Sequence, residues 1–291
     1  MRIVRKSPCK VNLLLNILGR RPDGFHELET LMLPIPVCDT LEIERSETPG
    51  IALTCSHASL PTDSGNLVFR AAERFLSIVG SDVGVRIHLE KQIPLTAGLG
   101  GGSGNAANAL LALNELFGNP LDSGGLSSIC AELGSDIPFF LQTGPALATG
   151  RGEQIEGLEP FDSLAGHSVL LIYPGFGVST AWAYAELAKS PDLLNGVPGR
   201  ARSLIDRLRN DDLETAASGF YNSLEAPVLR KYPVLAEYQQ FLRARFAAAV
   251  LMSGSGSSTF AIFSKETIAR GVEEEFREQF GQTCWTTVVP L

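Results

Sequence analysis

Residues 94–118 read PLTAGLGGGSGNAANALLALNELFG, a glycine-rich segment that runs directly into a helical pattern. Glycines occupy positions 98, 100, 101, 102 and 104, and apolar residues from Ala106 to Phe117 recur at helical spacing. Glycine allows left-handed backbone conformations and close approach of N–H groups to a ligand, and the first N–H groups of a helix have no partner within it. The segment therefore predicts an anion site, with phosphate as the expected ligand. The alternative is that the glycines serve only tight packing at a helix start.

The composition describes an acidic globular protein. Its 291 residues can form two domains, which we place at residues 1–160 and 161–291 because the composition shifts between Gly157 and Gly166. A net charge of −8 offers no general attraction for nucleic acid or an anionic membrane surface. No apolar run approaches the ~18–20 residues that a membrane helix needs. We expect neither a nucleic-acid nor a membrane partner, and any phosphate site must be local.

The termini and cysteines indicate a cytoplasmic protein. Lys10, Asn12 and Asn16 interrupt the early apolar stretch, and no small-residue cleavage site follows it, so we interpret it as structure rather than a signal peptide. The five cysteines are scattered and never form a CxxC pair. This pattern indicates neither a disulfide framework nor a zinc site.

Periodicity predicts a chain of mixed helices and strands, with a tight turn at RRPDG, residues 20–24. The predicted strands are 10–17, 29–33, 40–44, 51–54, 85–89, 146–149, 168–173, 259–263 and 284–289, and residues 248–252 lead into the late glycine loop. The predicted helices are 66–79, the glycine-loop helix ending near Gly118, 125–133, 179–189, 201–209, 213–220, 233–247 and 265–280. In the first strand, alternation places Lys10 and Asn12 on one face.

Two common nucleotide motifs do not fit the glycine segment. No lysine follows the glycines as a P-loop requires. Residues 102–107, GSGNAA, fit the dinucleotide pattern, with Asp122 at about the right distance. However, Asp122 lies just past the predicted helix, and the preceding VRIHL alternates, whereas a buried parallel strand would be continuously apolar.

The segment PLTAGLGGGSGNAAN resembles the phosphate-binding motif of the GHMP small-molecule kinases. An N-terminal lysine strand and a late glycine loop at Ser253–Ser258 extend the resemblance along the whole chain. Two blocks narrow it: SPCKVNLLLNILGRRPDGFHELETL and LGSDIPFF are similar to segments of the 4-diphosphocytidyl-2-C-methyl-D-erythritol kinase family.

This resemblance implies the two-domain α+β GHMP kinase fold, with the active site in the cleft between the domains. The N-terminal, ATP-binding domain would resemble ribosomal protein S5 domain 2, and the C-terminal domain would be a ferredoxin-like α/β plait. The implied reaction is ATP-dependent phosphorylation of the 2-hydroxyl of the cytidine-diphosphate methylerythritol, a step of the non-mevalonate isoprenoid pathway. The sequence does not reveal the oligomeric state.

The resemblance implies two catalytic residues. Asp136 would take the proton from the attacking hydroxyl, and the alternative from the sequence alone is a helix N-cap. Lys10 would keep that carboxylate ionised and offset charge on the transferring phosphoryl group, whereas a strand lysine is more commonly a solvated edge residue.

The resemblance also implies residues that bind ATP, with Mg²⁺ as the expected companion ion. The sequence identifies no Mg²⁺ ligands. At Gly104, relatives commonly carry serine, so one hydroxyl is absent. The implied ATP-binding residues are Asn66, near the adenine, and Pro94, Leu95, Thr96, Ala97, Gly98, Leu99, Gly100, Gly101, Gly102, Ser103 and Gly104.

On the substrate side, Asn12 and His26 match positions that contact the cytidine end, with His26 expected to bond the cytosine edge. Phe25 stands where tyrosine is frequent and can still stack on the base; its alternative is a core aromatic residue. Tyr184 is expected to close the other side of the cytosine, with Trp182 as its rival. The competing functions are another GHMP kinase, acting on homoserine or mevalonate, and a nucleotide-binding regulator without turnover.

Overall fold

The computed structural model describes residues 1–80, 83–189 and 196–291. Its Cα positions divide into two compact units, and both of its long strands contribute to each unit. The first unit comprises Met1–Cys9, Val37–Ile93 and Gly100–Thr143, and the second comprises Lys10–Pro36, Pro94–Leu99 and Gly144–Leu291. The long strands are β1 (Arg2–Arg20) and β2 (His26–Ser46). The sequence-domain boundary at 160/161 stays a prediction.

Among the described residues, the first unit contains parts of both long strands, two further strands and three helices. Strands β3 (Ile51–Cys55) and β4 (Gly84–Glu90) are parallel, and β4 is antiparallel to the end of β2, with Thr40 opposite Glu90. In β4, Val85, Ile87 and Leu89 are buried while the residues between them are not, which confirms the predicted alternation.

The helices of the first unit pack around α2, which is buried on most of its circumference. Small alanines at 106, 107, 109 and 112 allow this close packing. Asn66 caps the first helix: its Oδ1 accepts from Val68 N at 2.9 Å. The helices are α1 (Leu67–Val79), α2 (Gly101–Leu116), α3 (Ser123–Leu133) and a 3₁₀ turn, Pro138–Leu141.

The second unit contains a four-stranded antiparallel sheet in the order β11–β7–β10–β9. Helices α8 (Pro233–Arg243) and α9 (Glu266–Phe280) pack against this sheet. Aromatic rings from the two helices meet edge to face or tilted, namely those of Tyr238, Phe241, Phe276 and Phe280. Numbered within this sheet, its strands follow the order 4-1-3-2, as in a ferredoxin-like plait. The strands are β7 (Ser168–Tyr173), β9 (Ala249–Met252), β10 (Thr259–Phe263) and β11 (Trp285–Pro290).

The remaining described elements of the second unit are three short strands, which pair with the long strands or with one another, and several helices. The start of β2 pairs with β5, which pairs with β6, and β1 is parallel to the two-residue strand β8. These elements are β5 (Ala146–Thr149), β6 (Gln154–Gly157), a 3₁₀ turn at Asp162–Leu164, α4 (Thr180–Ala188), α5 (Arg200–Asn210), α6 (Leu213–Ala217), β8 (Tyr221–Asn222), α7 (Glu225–Lys231), α8 (Pro233–Arg243) and α9 (Glu266–Phe280).

Most predicted elements are confirmed, and three predictions need correction. The two strands expected at 29–33 and 40–44 are one strand, β2. The helices expected at 213–220 and 233–247 end at Ala217 and Arg243. Helix α7 was not predicted, because Pro227 interrupts its apolar pattern.

Candidate active site

The first half of the glycine loop lies against the late glycine loop within the second unit. Ser253 Oγ donates to Gly98 O at 3.0 Å, and Ser258 N donates to Ala97 O at 3.1 Å. Gly98 has φ +78°, and a Cβ there would lie 2.3 Å from Ser253 O. Gly98 is therefore required both by its backbone conformation and by the approach of the second loop.

The second half of the loop starts helix α2 in the first unit. Gly100 takes the left-handed conformation, φ 70°, and no side chain caps the helix. The N–H groups of the first turn therefore have no partner from a capping side chain, and the positive end of the helix dipole lies at the loop. Ser103 is half-buried in this turn. This geometry suits a phosphate, as the sequence predicted.

Gly104 is packed too closely for a larger residue in this backbone position. A Cβ there would lie 2.9 Å from Pro8 O, 3.1 Å from Ser7 Oγ and 3.3 Å from Phe140 Cδ1. The Ser7 hydroxyl therefore lies beside Gly104. The contact with Phe140 also brings the 3₁₀ turn after Asp136 against the start of α2.

Lys10 is buried, and its ammonium group is held on the predicted face of β1. Its Nζ donates to Asn12 Oδ1 at 2.6 Å and to Gly98 O at 3.1 Å. Asn12 is fixed in turn, because its Nδ2 donates to Thr30 Oγ1 at 2.8 Å. A Cβ at Gly254 would approach Lys10 Nζ to 3.2 Å. The ammonium group thus lies within reach of both glycine loops, and the solvated-edge alternative is wrong for this lysine.

Asp136 lies in the segment Gly134–Pro138 that follows α3, and it is half-buried. The cap position of the following 3₁₀ turn is Ile137, with no side-chain hydrogen bond at the cap. Both the N-cap alternative and the catalytic role of Asp136 stay predictions. Asp122, considered above as part of a dinucleotide motif, caps α3 through its Oδ1, which accepts from Gly125 N at 2.8 Å.

A buried polar cluster in the first unit, not predicted from the sequence, supports the loop. Asp39 is fully buried, and its Oδ1 accepts from Gln92 N at 2.7 Å and Ile93 N at 2.9 Å. Its Oδ2 accepts from Lys91 Nζ and, at 2.9 Å, from Asn105 Nδ2. These bonds join the residues before the loop to the first turns of α2. A lone aspartate between two predicted strands gave no signal of this role.

Two of the residues predicted for the cytidine end, His26 and Tyr184, contact each other in the second unit. The His26 and Tyr184 rings lie 4.9 Å apart between centroids, tilted by 42°. The rival aromatic residue, Trp182, instead has the Lys231 ammonium group 3.9 Å from its ring centroid. Phe25 is 50% exposed, which contradicts the core-aromatic alternative.

The surroundings of the His26 imidazole favour its neutral form. Burial lowers its pKa below the ordinary 6.5, and the Arg20 guanidinium lowers it further. Within the described part of the chain, His26 Nε2 is among the buried polar atoms without a hydrogen-bond partner. A buried ring nitrogen left in this way is a position at which a ligand could bond.

Asn66 is occupied as a helix cap. Besides bonding Val68 N, its Nδ2 donates to Pro61 O at 2.8 Å. Its predicted place near the adenine stays a prediction.

Comparison with known proteins identifies the family. The model of the GHMP kinases N terminal domain matches residues 66–144, and that of the GHMP kinases C terminal domain matches residues 201–282. A 4-diphosphocytidyl-2-C-methyl-D-erythritol kinase of Geobacter sp. (strain M21) is 39% identical over 94% of this chain and 94% of its own length. That of Syntrophus aciditrophicus is 42% identical over 92% of each chain.

The chain belongs to the 4-diphosphocytidyl-2-C-methyl-D-erythritol kinase family.

Solved structures agree with this assignment. A crystal structure of 4-(cytidine 5'-diphospho)-2C-methyl-D-erythritol kinase, 34% identical, matches with a TM-score of 0.81 over 99% of this chain and all of that one. The homoserine kinase of Cytophaga hutchinsonii, 20% identical, matches with a TM-score of 0.76 over 99% of this chain and 93% of its own, and shares the fold. The predicted α+β GHMP kinase fold and small-molecule kinase class are confirmed.

Two further observations bear on partners and ions. None of the helices in the described residues is long and apolar enough to cross a membrane. The described residues also contain no cluster of three or more His, Cys, Asp or Glu side chains placed to hold a metal ion. In kinases, Mg²⁺ is bound mainly by substrate phosphates with one or two carboxylates, a donor set that needs no such cluster.

Proposed function

We propose that this chain transfers the γ-phosphoryl group of ATP to the 2-hydroxyl of 4-diphosphocytidyl-2-C-methyl-D-erythritol. The products are the 2-phosphate and ADP, in the non-mevalonate route to isoprenoid precursors. Family membership supports the reaction class. The observation that carries the substrate assignment is the His26–Tyr184 ring pair with the buried, unpartnered His26 Nε2. Homoserine and mevalonate contain no base that would need such a pair.

In this proposal, the glycine loop from Pro94 to Gly104 binds the ATP phosphates. The backbone N–H groups at the start of α2 and the Ser103 hydroxyl are the donors, and Lys10 adds a positive charge beside Gly98. When bound with the nucleotide, Mg²⁺ would neutralise charge on the β and γ phosphates. Ser103 Oγ is a hard oxygen donor of the kind that would hold it.

The acceptor chemistry is assigned to Asp136. Its carboxylate takes the proton of the 2-hydroxyl as that oxygen bonds to the γ-phosphorus, and the bond from that phosphorus to the bridging oxygen breaks to release ADP. Lys10 stabilises negative charge on the transferring group. Its bond to Asn12 Oδ1, at 2.6 Å, fixes the direction in which the ammonium group points.

The base of the substrate is assigned to the aromatic residues of the second unit. The cytosine stacks with Phe25 on one side and Tyr184 on the other, and its edge bonds to His26 Nε2. Asn12 contributes from the same strand face as Lys10. The five cysteines are free thiols, as in a reducing compartment, and we place the reaction in the cytoplasm.

The test is release of ADP with each of three acceptors: the cytidine-diphosphate methylerythritol, homoserine and mevalonate. Turnover with the cytidine compound and none with the other two is expected. Turnover with homoserine or mevalonate would assign a different GHMP kinase activity. ATP binding without turnover on any of the three would favour the regulator.

A further inference from the structure

Phe25 presents one face of its ring to a cation. The Arg151 guanidinium carbon lies 4.6 Å from the ring centroid, while half of the Phe25 surface remains exposed. A planar guanidinium stacks on an aromatic face and is attracted by it. The ring is therefore covered on one side and available on the other.

The backbone of Phe25 is fixed independently of this stack. Its N–H donates to Asp23 Oδ1 at 3.1 Å, and its carbonyl accepts from Arg21 N at 2.8 Å, which closes the tight turn predicted at RRPDG. The phenyl ring has no hydroxyl through which a hydrogen bond could fix its orientation. The Arg151 stack is a contact able to do so.

Arg151 is itself held in place by a turn next to β2. Its N–H donates to Glu153 Oε2 at 2.7 Å, and its Nε lies 3.8 Å from the same oxygen. The neighbouring Gly150 carbonyl accepts from Leu28 N at 2.9 Å, which anchors this turn to the strand that begins at His26. The guanidinium is thus attached to the strand that carries the other base-recognition residue.

We propose that Arg151 is a positioning residue for pyrimidine recognition: it stacks on one face of Phe25 and holds the opposite face ready for the base. The ligand class is a pyrimidine nucleoside and its phosphates. This inference rests on the proposed function, in which Phe25 stacks on the cytosine. The role is indirect, because Arg151 acts through Phe25 and contacts no substrate atom.

The competing explanation is that Arg151 binds the substrate diphosphate directly. Ligands with the same base but with or without phosphate distinguish the two explanations. Positioning of Phe25 affects cytidine, CMP and CDP alike, because all three carry the base. A salt bridge to phosphate affects CMP and CDP but leaves cytidine unchanged.

The experiment measures binding of cytidine, CMP and CDP by calorimetry to the wild type, Arg151→Met, Arg151→Lys, Phe25→Leu and the double variant Arg151→Met/Phe25→Leu. We expect Arg151→Met to weaken all three ligands by roughly two- to fivefold. Arg151→Lys keeps the charge without the planar stack, and it should also weaken cytidine. In the Phe25→Leu background, Arg151→Met should cause no further loss. KM for the cytidine acceptor should rise with kcat unchanged.

Arg245→Met is the matched control. The Arg245 guanidinium carbon lies 3.4 Å from the ring centroid of Phe241, a residue of helix α8. Arg245→Met therefore breaks an Arg–Phe stack outside the proposed base site and should leave nucleotide binding unchanged. Unchanged cytidine binding in Arg151→Met, a loss confined to CMP and CDP, or an equal loss in the Phe25→Leu background would each overturn the inference. A wild type that neither binds cytidine nor phosphorylates the acceptor would instead overturn the proposed function.

Discussion

Lys10 Nζ lies 2.6 Å from Asn12 Oδ1 on the same face of β1, and it also donates to the Gly98 carbonyl of the glycine loop. A buried ammonium group held in this way acts as a fixed positive charge. We expect Lys10→Met to lower kcat by roughly 10²–10³-fold while ATP affinity changes much less. Steady-state kinetics with equilibrium ATP binding measures both. Lys6→Met, an exposed lysine on the same strand, should leave kcat unchanged; an unchanged kcat in Lys10→Met removes it from catalysis.

Asp136→Asn tests the proposed general base. The amide cannot accept the hydroxyl proton, so kcat should fall by roughly 10²–10⁴-fold with little change in ATP binding. Asp122→Asn is the control, since asparagine caps a helix about as well as aspartate and should preserve activity. If Asp136→Asn turns over at the wild-type rate, the base is another group.

The contact between the two glycine loops can be measured with a pair of variants. Gly98 and Gly166 both have φ +78°, but a Cβ at Gly98 meets Ser253 O at 2.3 Å whereas one at Gly166 meets nothing within 4 Å. Gly166→Ala should lower the free energy of unfolding by about 1–2 kcal/mol from the backbone conformation alone. In Gly98→Ala the free energy of unfolding should fall by a further ~1–3 kcal/mol, and ATP binding should weaken. Urea unfolding gives the difference, and equal losses would show that the loops do not constrain each other.

The buried Asp39–Lys91 pair should contribute strongly to stability. Asp39→Asn leaves the Lys91 ammonium group, whose side chain is 4% exposed, without its counter-charge. We expect the free energy of unfolding to fall by about 3–5 kcal/mol. Glu42→Gln removes one partner of the exposed Arg2–Glu42 pair and should change the free energy of unfolding by less than about 1 kcal/mol. Similar small effects of both substitutions would contradict this role for Asp39.

Binding of the base should depend on pH through His26. Its pKa lies below 6.5 in the folded protein, so the neutral ring that can accept a hydrogen bond persists as pH falls from neutrality to 6.5. We expect cytidine affinity to fall with a midpoint below pH 6.5, as the ring protonates; cytidine is the ligand because it lacks the phosphate of CMP, whose second pKa is about 6. His26→Gln, which cannot titrate, should bind cytidine without this dependence. A decline centred above 6.5, or one retained in His26→Gln, would argue against His26 as the acceptor.

The sequence predicted the residues with local patterns better than those with long-range partners. Alternation placed Lys10 beside Asn12, and the glycine spacing located the start of α2. By contrast, the strands predicted at 29–33 and 40–44 are one strand: β2 continues through Pro34 and Pro36, between its pairing with β5 at Thr30–Met32 and with β4 from Thr40 onward. A proline lacks only the N–H donor and can stay in a strand where no ladder bond needs that donor.

Long-range contacts account for what the sequence missed. The role of Asp39 depends on Lys91 and Asn105, which lie 52 and 66 residues away in the chain. The stack of Arg151 on Phe25 joins two turns that no periodicity connects. No local pattern encodes either pairing.

The most direct test of the proposed phosphoryl transfer follows the labelled phosphoryl group of γ-³²P-ATP in the presence of the cytidine-diphosphate methylerythritol. We expect the label to appear on the 2-hydroxyl of that compound, one label per ADP formed, and Asp136→Asn to suppress the transfer. Label found only in inorganic phosphate, or transferred to homoserine or mevalonate but not to the cytidine compound, would contradict the proposed transfer.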